Sequence, residues 1–405
     1  MKKILFLTYN YPYGHFGPSD NCSLRIMKAL LQSGYYEVHN ISYSGDKKNY
    51  DELPGVILHD LGFPEKTNNC PSWLKRILLM LKLTIYPFTD PLTCYRLYKA
   101  TKVIIKKEKF DLVIAQHNPG PSVWAGVWLK KYGFIDRLGV IFWDSIYGKI
   151  PRRVVPKAFA LKRQRRAETI IARHANSLVS LYPLRKFHEE NGEIPEAKGK
   201  RVYLGIPSIA KPPQMPESSY KDALKEGSIN ILYSGTIFRT EYVAYLVRLL
   251  NQISGAERLN LIFFSKGVSD EDFARLKCQF KGTIYSSPWI KLNELLALYP
   301  HIDFFLSFPG NPTAIRSKVF EYMSYGKPLL LLYDDDKDVN IHTFSKYPAN
   351  LAIDERKDPS HYIQITSDFL KEMQGKNIPF DDVEKLFPED TVSAYVSLIN
   401  KLTGV

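Results

Sequence analysis

Arg316, Ser317, Lys318 and Glu321 fall within two helical turns of one another. An apolar run over 329–332 follows almost at once. A carboxylate that accepts two hydrogen bonds suits a ribose diol, and its charge strengthens both bonds. A diphosphate needs cations and free backbone N–H groups, which the start of a helix supplies. Arg316, Ser317 and Lys318 sit where that helix should begin. Lys318 and Glu321 are three apart and share a helix face. The simpler reading is an amphipathic helix with a surface Lys–Glu pair. The order of the surrounding segments weighs against it, because the layout is that of a nucleotide-sugar diphosphate site in a doubly wound α/β domain.

The elements that must position these residues follow from the pattern. Short apolar runs at 3–8, 37–42, 112–115, 140–142 and 177–181 alternate with helix-like segments. The same holds for 229–233, 260–264, 282–284, 304–307 and 329–332. Strands alternating with helices predict parallel sheets with crossover helices, an α/β fold. Between the halves, 205–216 holds four prolines, which block regular helix and stiffen a linker. The expected domains are therefore 1–208 and 209–385, with a C-terminal helix over 386–405. A chain of 405 residues is long enough for two cores.

No apolar run reaches the length of a membrane span. The apolar start after Lys2 and Lys3 is too short for a signal peptide and lacks a cleavage site, so it reads as a buried strand. Cys22, Cys70, Cys94 and Cys278 show no metal spacing and are expected as reduced thiols in a cytoplasmic protein. The net charge of +13 is uneven. Residues 1–208 hold 33 Lys+Arg against 17 Asp+Glu; residues 209–405 hold 22 against 25. The first half should face something acidic, such as an anionic membrane or a phosphorylated acceptor. Nucleic acid is not expected, since no reading motif accompanies the charge. The segment 73–86, with Trp73, Lys75, Arg76 and Lys82, suits an amphipathic helix at a membrane interface. The basic stretch 149–173, expected to end in a helix over 168–175, would add to that attraction. Both also fit a packed or solvated helix.

Several loops carry polar groups at the ends of the expected strands, where ligands bind in open α/β sheets. Gly14 and Gly17 follow the first strand and permit close backbone approach. His117 ends the strand at 112–115 and can serve as a general base near neutral pH. Gly235 and Thr236 permit approach to phosphate, Arg239 can pair with it bidentately, and Lys266 offers a second cation. Asn311 and Thr313 lie in the loop before Arg316. The acidic run 334–336 looks like a cation site but follows a strand, and reads as an exposed loop.

Taken together, the segment around Glu321 resembles the donor-site signature of the group 1 glycosyltransferases, and the order of parts along nearly the whole chain is similar. The resemblance implies the GT-B fold: two Rossmann-like domains whose parallel sheets face across a cleft. It implies transfer of a sugar from a UDP- or GDP-sugar, with retention and without a metal or other cofactor. The acceptor it implies is a glycan or lipid-linked glycan, at the inner membrane face, in cell-surface polysaccharide synthesis. Glu321 would bind the donor ribose, and Gly14 and Gly17 would line the acceptor side. The last helix would return to the first domain. Three departures stand out. Trp143 occupies the place of the family's His, leaving Asp144 beside it; Trp143 suits either a sugar face or the core. Thr236 stands where an Arg is usual. Thr313 stands where the first of two paired glutamates is expected, which clouds sugar identity and activity. A non-catalytic partner of another transferase and a sugar-nucleotide epimerase remain the alternatives.

Overall fold

The computed structural model describes residues 1–10, 18–43, 54–62, 87, 90–117, 120–143, 146, 156–182, 184–310, 312 and 315–405. The chain divides into two compact units, residues 1–207 with 389–405, and residues 208–388.

The first unit runs β1 (Lys2–Asn10), α1 (Pro18–Gln32), β2 (Tyr36–Tyr43), β3 (Val56–Asp60), α2 (Pro91–Lys107), β4 (Leu112–His117), α3 (Pro121–Lys131), β5 (Leu138–Phe142), α4 (Lys157–His174), β6 (Ser177–Leu181), α5 (Leu184–Asn191) and β7 (Arg201–Leu204). Its sheet has the order β3-β2-β1-β4-β5-β6-β7, with every pair parallel. Successive side chains point to opposite faces of a strand. Ile4 and Phe6 therefore enter one core cluster and Leu5 and Leu7 another. A sheet covered on both faces explains the unbroken apolar runs.

The second unit runs β8 (Ile229–Thr236), α6 (Thr240–Leu250), β9 (Leu259–Lys266), α7 (Asp270–Gln279), β10 (Thr283–Ser287), α8 (Leu292–Leu298), β11 (Phe304–Ser307), α9 (Ser317–Ser324), β12 (Leu329–Tyr333), α10 (Val339–Phe344), β13 (Asn350–Asp354), α11 (Ile363–Met373) and α12 (Phe380–Leu386). Its parallel sheet has the order β10-β9-β8-β11-β12-β13. In both sheets the chain starts in the middle, builds one side, then crosses back. The reversal falls between β1 and β4 in the first unit and between β8 and β11 in the second.

The last helix, α13 (Val392–Thr403), packs on α1 within the first unit. Its anchors are polar. The Tyr395 hydroxyl donates to the Gly205 carbonyl at 2.7 Å, and Tyr36 donates to Asn400 Oδ1 at 2.6 Å. Asp390, buried, accepts from Ile206 N–H at 2.9 Å.

Two expectations need correction. The basic segment is helical from Lys157, eleven residues before the expected start at 168, because after Pro156 no proline or glycine interrupts it. Trp143 is 6 % exposed and belongs to the core. Its indole donates to Gln116 Oε1 at 2.8 Å, and its ring lies 5.6 Å from that of Tyr395, so it presents no face to a sugar. The indole fills space that the returning helix covers.

Among the described residues, Glu37, His39 and Glu108 form the one group whose ligand-type atoms are close enough for a metal. The Lys3 ammonium pairs with both carboxylates, 2.9 Å from Glu37, and so already offsets part of their charge. The cluster reads as an ion network closing the bottom of β1 and β2.

A Cβ on Gly205 would fall 1.9 Å from Asp390 Oδ1. Asp390 is buried and held by Ile206, so it cannot swing aside. Gly205→Ala should therefore destabilise the first unit by about 1–3 kcal/mol. The measurement is urea unfolding of the full chain, and an unchanged midpoint would refute the packing argument.

Candidate functional site

At the reversal point of the second sheet, β8 ends in Ser234-Gly235-Thr236 and β11 ends at Ser307. The short helix α9 starts just past β11 and points its first turn at this gap. Strand ends beside a reversal point form a crevice open to ligands.

Two of the expected side chains meet here. The Lys318 ammonium donates to Ser234 Oγ at 2.6 Å. Burial lowers the Lys318 pKa, and the attraction of Glu321 opposes that only in part. Glu321 is 8 % exposed, and its Oε1 accepts from the Tyr299 hydroxyl at 3.2 Å. Tyr299 is fully buried, and burial followed by the Glu321 charge raises its pKa well above the usual value. It therefore stays a donor. Tyr322 accepts from Ser234 N–H at 3.2 Å and stacks on Phe305 with centroids 4.0 Å apart. These contacts fix α9 against the ends of β8 and β11.

Arg316 has a different place from its neighbours. Its guanidinium pairs with buried Asp338 and donates to Ser307 Oγ at 3.2 Å and to the Leu332 carbonyl at 3.3 Å. Its backbone N–H goes to Asn340 Oδ1 at 2.8 Å. Burial, more than Asp338 can offset, lowers its pKa. Arg316 thus ties α9 to α10 through protein partners. Ser317 is the first residue of α9.

The loops after β8 and β9 are clamped together. Ile237 N–H donates to the Lys266 carbonyl at 2.8 Å. Gly267 has φ +100, and a Cβ there would lie 2.0 Å from the Ile237 carbonyl, so a glycine is required for this approach. The Trp289 indole donates to the Gly235 carbonyl at 3.1 Å, and Lys266 Nζ lies 4.2 Å above its ring. Trp289 is 51 % exposed and Phe238 69 %. Arg239 is largely exposed, over the Tyr242 ring and 3.8 Å from Asp334. Thr236 closes β8, and its carbonyl accepts from the Tyr233 hydroxyl at 2.8 Å.

The acids of 334–336 are engaged by protein groups. Asp334 accepts from Tyr242 at 2.8 Å, Asp335 from Lys337 N–H at 2.8 Å, and Asp336 pairs with Arg356. Glu355, at the end of β13, has its pKa pushed up to about 7 by burial and then by Asp334.

His117 closes β4, opposite Phe142 of β5, at the first sheet's reversal; its side chain is outside the described residues, as are Gly14, Gly17, Asp144, Asn311 and Thr313. So are Trp73, Lys75, Arg76 and Lys82. Ser234, Tyr299, Asp338 and Trp289 were not anticipated. Only Trp289, after Pro288 in a loop following a strand, carried a signal in the sequence. The other three are ordinary residue types that pairing across the fold makes important.

With this geometry the comparisons are informative. No protein-family model matches the chain, and no curated protein matches it by sequence. Solved structures do. WaaG, a glycosyltransferase involved in lipopolysaccharide biosynthesis, superposes with TM-score 0.58 at 16% identity, covering 99% of this chain and 100% of that one. The UDP-forming α,α-trehalose-phosphate synthase of Burkholderia xenovorans gives 0.56 at 12% identity, with 100% of each chain covered. The UDP-GlcNAc 2-epimerase of Methanocaldococcus jannaschii gives 0.53 at 13%, covering 99% and 100%. The fold is GT-B. It spans the full length of the chain, and at these identities the likeness speaks for architecture alone. Among the described residues, no helix is long and apolar enough to cross a membrane.

Two outcomes follow from the site's electrostatics. Burying a cation opposes folding, so Lys318→Met should leave the melting temperature unchanged or raise it. A drop of several degrees would instead mark Lys318 as structural. For Glu355, the folded state holds a proton that the unfolded state gives up near the ordinary carboxylate pKa of 4.5. Stability should therefore fall as pH rises from about 4.5 to about 7 and level off above. Glu355→Gln should flatten that slope in unfolding midpoints across this window; an unaltered slope counts against the shift.

Proposed function

We propose that the chain is a glycosyltransferase that takes a sugar from a UDP- or GDP-sugar and passes it to a glycan or lipid-linked glycan acceptor. One observation carries the reading. A desolvated ammonium and a buried carboxylate, Lys318 and Glu321, stand on one face of a short helix at the reversal point of a parallel sheet. Glu321, held by Tyr299, is the ribose acceptor of hydrogen bonds. Lys318 is the diphosphate cation, and the N–H groups opening α9 add to it. Arg239 and Lys266, both at the rim, supply further positive charge, with Gly235 and Thr236 approaching through backbone. Arg316 acts by holding α9 in place. Trp289 and Phe238 offer aromatic faces beside the Gly235 carbonyl, where a nucleobase can stack.

Stabilisation of the departing diphosphate by preorganised charge would supply much of the rate. In this reading no metal is needed, because side-chain cations and backbone dipoles neutralise the leaving group. The first unit holds the acceptor, with His117 or Asp144 as the groups nearest the chemistry and Gly14 and Gly17 lining the approach. The product belongs to cell-surface polysaccharide, made at the cytoplasmic face of a membrane, with retained configuration.

A sugar-nucleotide epimerase is the second reading, favoured by the equally complete structural likeness to a UDP-GlcNAc 2-epimerase; Thr313 in place of a glutamate favours instead the partner role. A non-catalytic partner of another transferase is the third.

Thermal shift with UDP, GDP, ADP and their sugars separates these readings. At about 100 times Kd, a bound nucleotide adds about 2.7 kcal/mol. One base class should stabilise the native chain and fail to stabilise Glu321→Ala or Lys318→Met. With that donor, conversion of the sugar without acceptor would establish the epimerase. Binding with neither conversion nor transfer would leave the partner role, and no response to any nucleotide would overturn the donor site.

A further inference from the structure

Helices α2, α3 and α4 lie side by side on one face of the first sheet, α2 against α3 and α3 against α4. Their sequences are one-sided in charge. Five Lys or Arg fall on α2, two on α3 and six on α4. Neither α2 nor α3 contains a carboxylate. The single one on α4, Glu168, is buried and paired with Arg201 at 2.7 Å. No acid of these helices is therefore left on the outer face.

Large apolar side chains stand among those cations. On α2, Leu92, Tyr95 and Val103 are 58%, 48% and 55% exposed. Tyr132, just past α3, is 59% exposed and Phe159 on α4 is 49%. Each of the three aromatic rings has a cation over it: Lys99 on Tyr95, Lys131 on Tyr132 and Arg163 on Phe159, at 5.3, 5.6 and 5.5 Å. A solvated basic face accounts for the charges and leaves the apolar groups facing water for no return. A polynucleotide would pair the cations and still leave Leu92 and Val103 wet. The headgroup region of an anionic bilayer takes both kinds of group at once: lipid phosphates pair the cations, and aromatic and aliphatic side chains enter the boundary with the acyl chains.

We infer that the outer face of α2, α3 and α4 is a docking surface for an anionic phospholipid bilayer. It lies wholly in the first unit, and it does not depend on the sugar-transfer reading of the second.

The test is co-sedimentation of the full chain with phosphatidylcholine vesicles, with and without phosphatidylglycerol. Two variants alter exposed positions only: Lys99→Glu with Arg166→Glu, and Tyr95→Ser with Phe159→Ser. Melting temperatures check that both fold. The native chain should partition onto the phosphatidylglycerol vesicles and not onto the neutral ones, less so as salt rises. Charge reversal should weaken that partition at least about tenfold, and the aromatic pair should weaken it severalfold. Absence of binding to anionic vesicles, or binding that neither variant changes, overturns the assignment. So does binding of a single-stranded oligonucleotide that the charge variant loses and the aromatic variant keeps, since that would assign the face to nucleic acid.

Discussion

Parallel pairing throughout both sheets is the constraint on which the rest of the structure depends. A parallel strand is joined to the next by a crossover, so helices cover both faces and the strand interior becomes wholly apolar. Polar chemistry is thereby driven to the strand ends. Where the strand order reverses, two neighbouring crossovers leave in opposite directions and the ends stay uncovered. In the second unit that gap is bordered by Ser234 and Ser307, and α9 is the element placed to fill it.

The groups around that gap are costly to bury. Lys318 loses water and gains one short hydrogen bond to Ser234. Arg316 is largely covered, with its Nε buried and unpaired among the described residues, though Asp338 meets the other end of the guanidinium. Tyr299 and Tyr322, both fully buried, spend their hydroxyls on Glu321 and on the Ser234 backbone. A core built for stability alone would hold apolar residues at these places. Charge retained at a strand end, with a rigid aromatic frame behind it, is the arrangement expected of a site preorganised for an anionic ligand.

The first unit answers to the same constraint but uses its surface differently. Its reversal point lies beside Gln116 and His117, and the return of α13 closes the face where Trp143 packs. The basic, partly apolar exterior is carried on the opposite helical layer, α2 to α4. Glu168 shows how the charges are sorted: the acid is turned inward to Arg201 and Ser180's partner network, and the cations are left outside.

Much of the fold was legible in the sequence. All ten expected strands are present: nine are central strands, whose burial on two faces leaves continuous apolar runs, and the tenth, β10, is an edge strand. The three that escaped notice, β3, β7 and β13, are edge strands. An edge strand is covered less completely: β3 has only half-buried and exposed positions, and β7 and β13 mix buried with half-buried ones, so the apolar signal is broken. Of the candidate site, the sequence determined that Lys318 and Glu321 share one helix, because helical spacing is a local property of the chain. Whether Arg316 faces a ligand or Asp338, and whether Trp143 faces a sugar or Tyr395, was decided only by tertiary packing. Those partners are 22 and 252 positions away, and no local periodicity encodes which distant surface a side chain will meet.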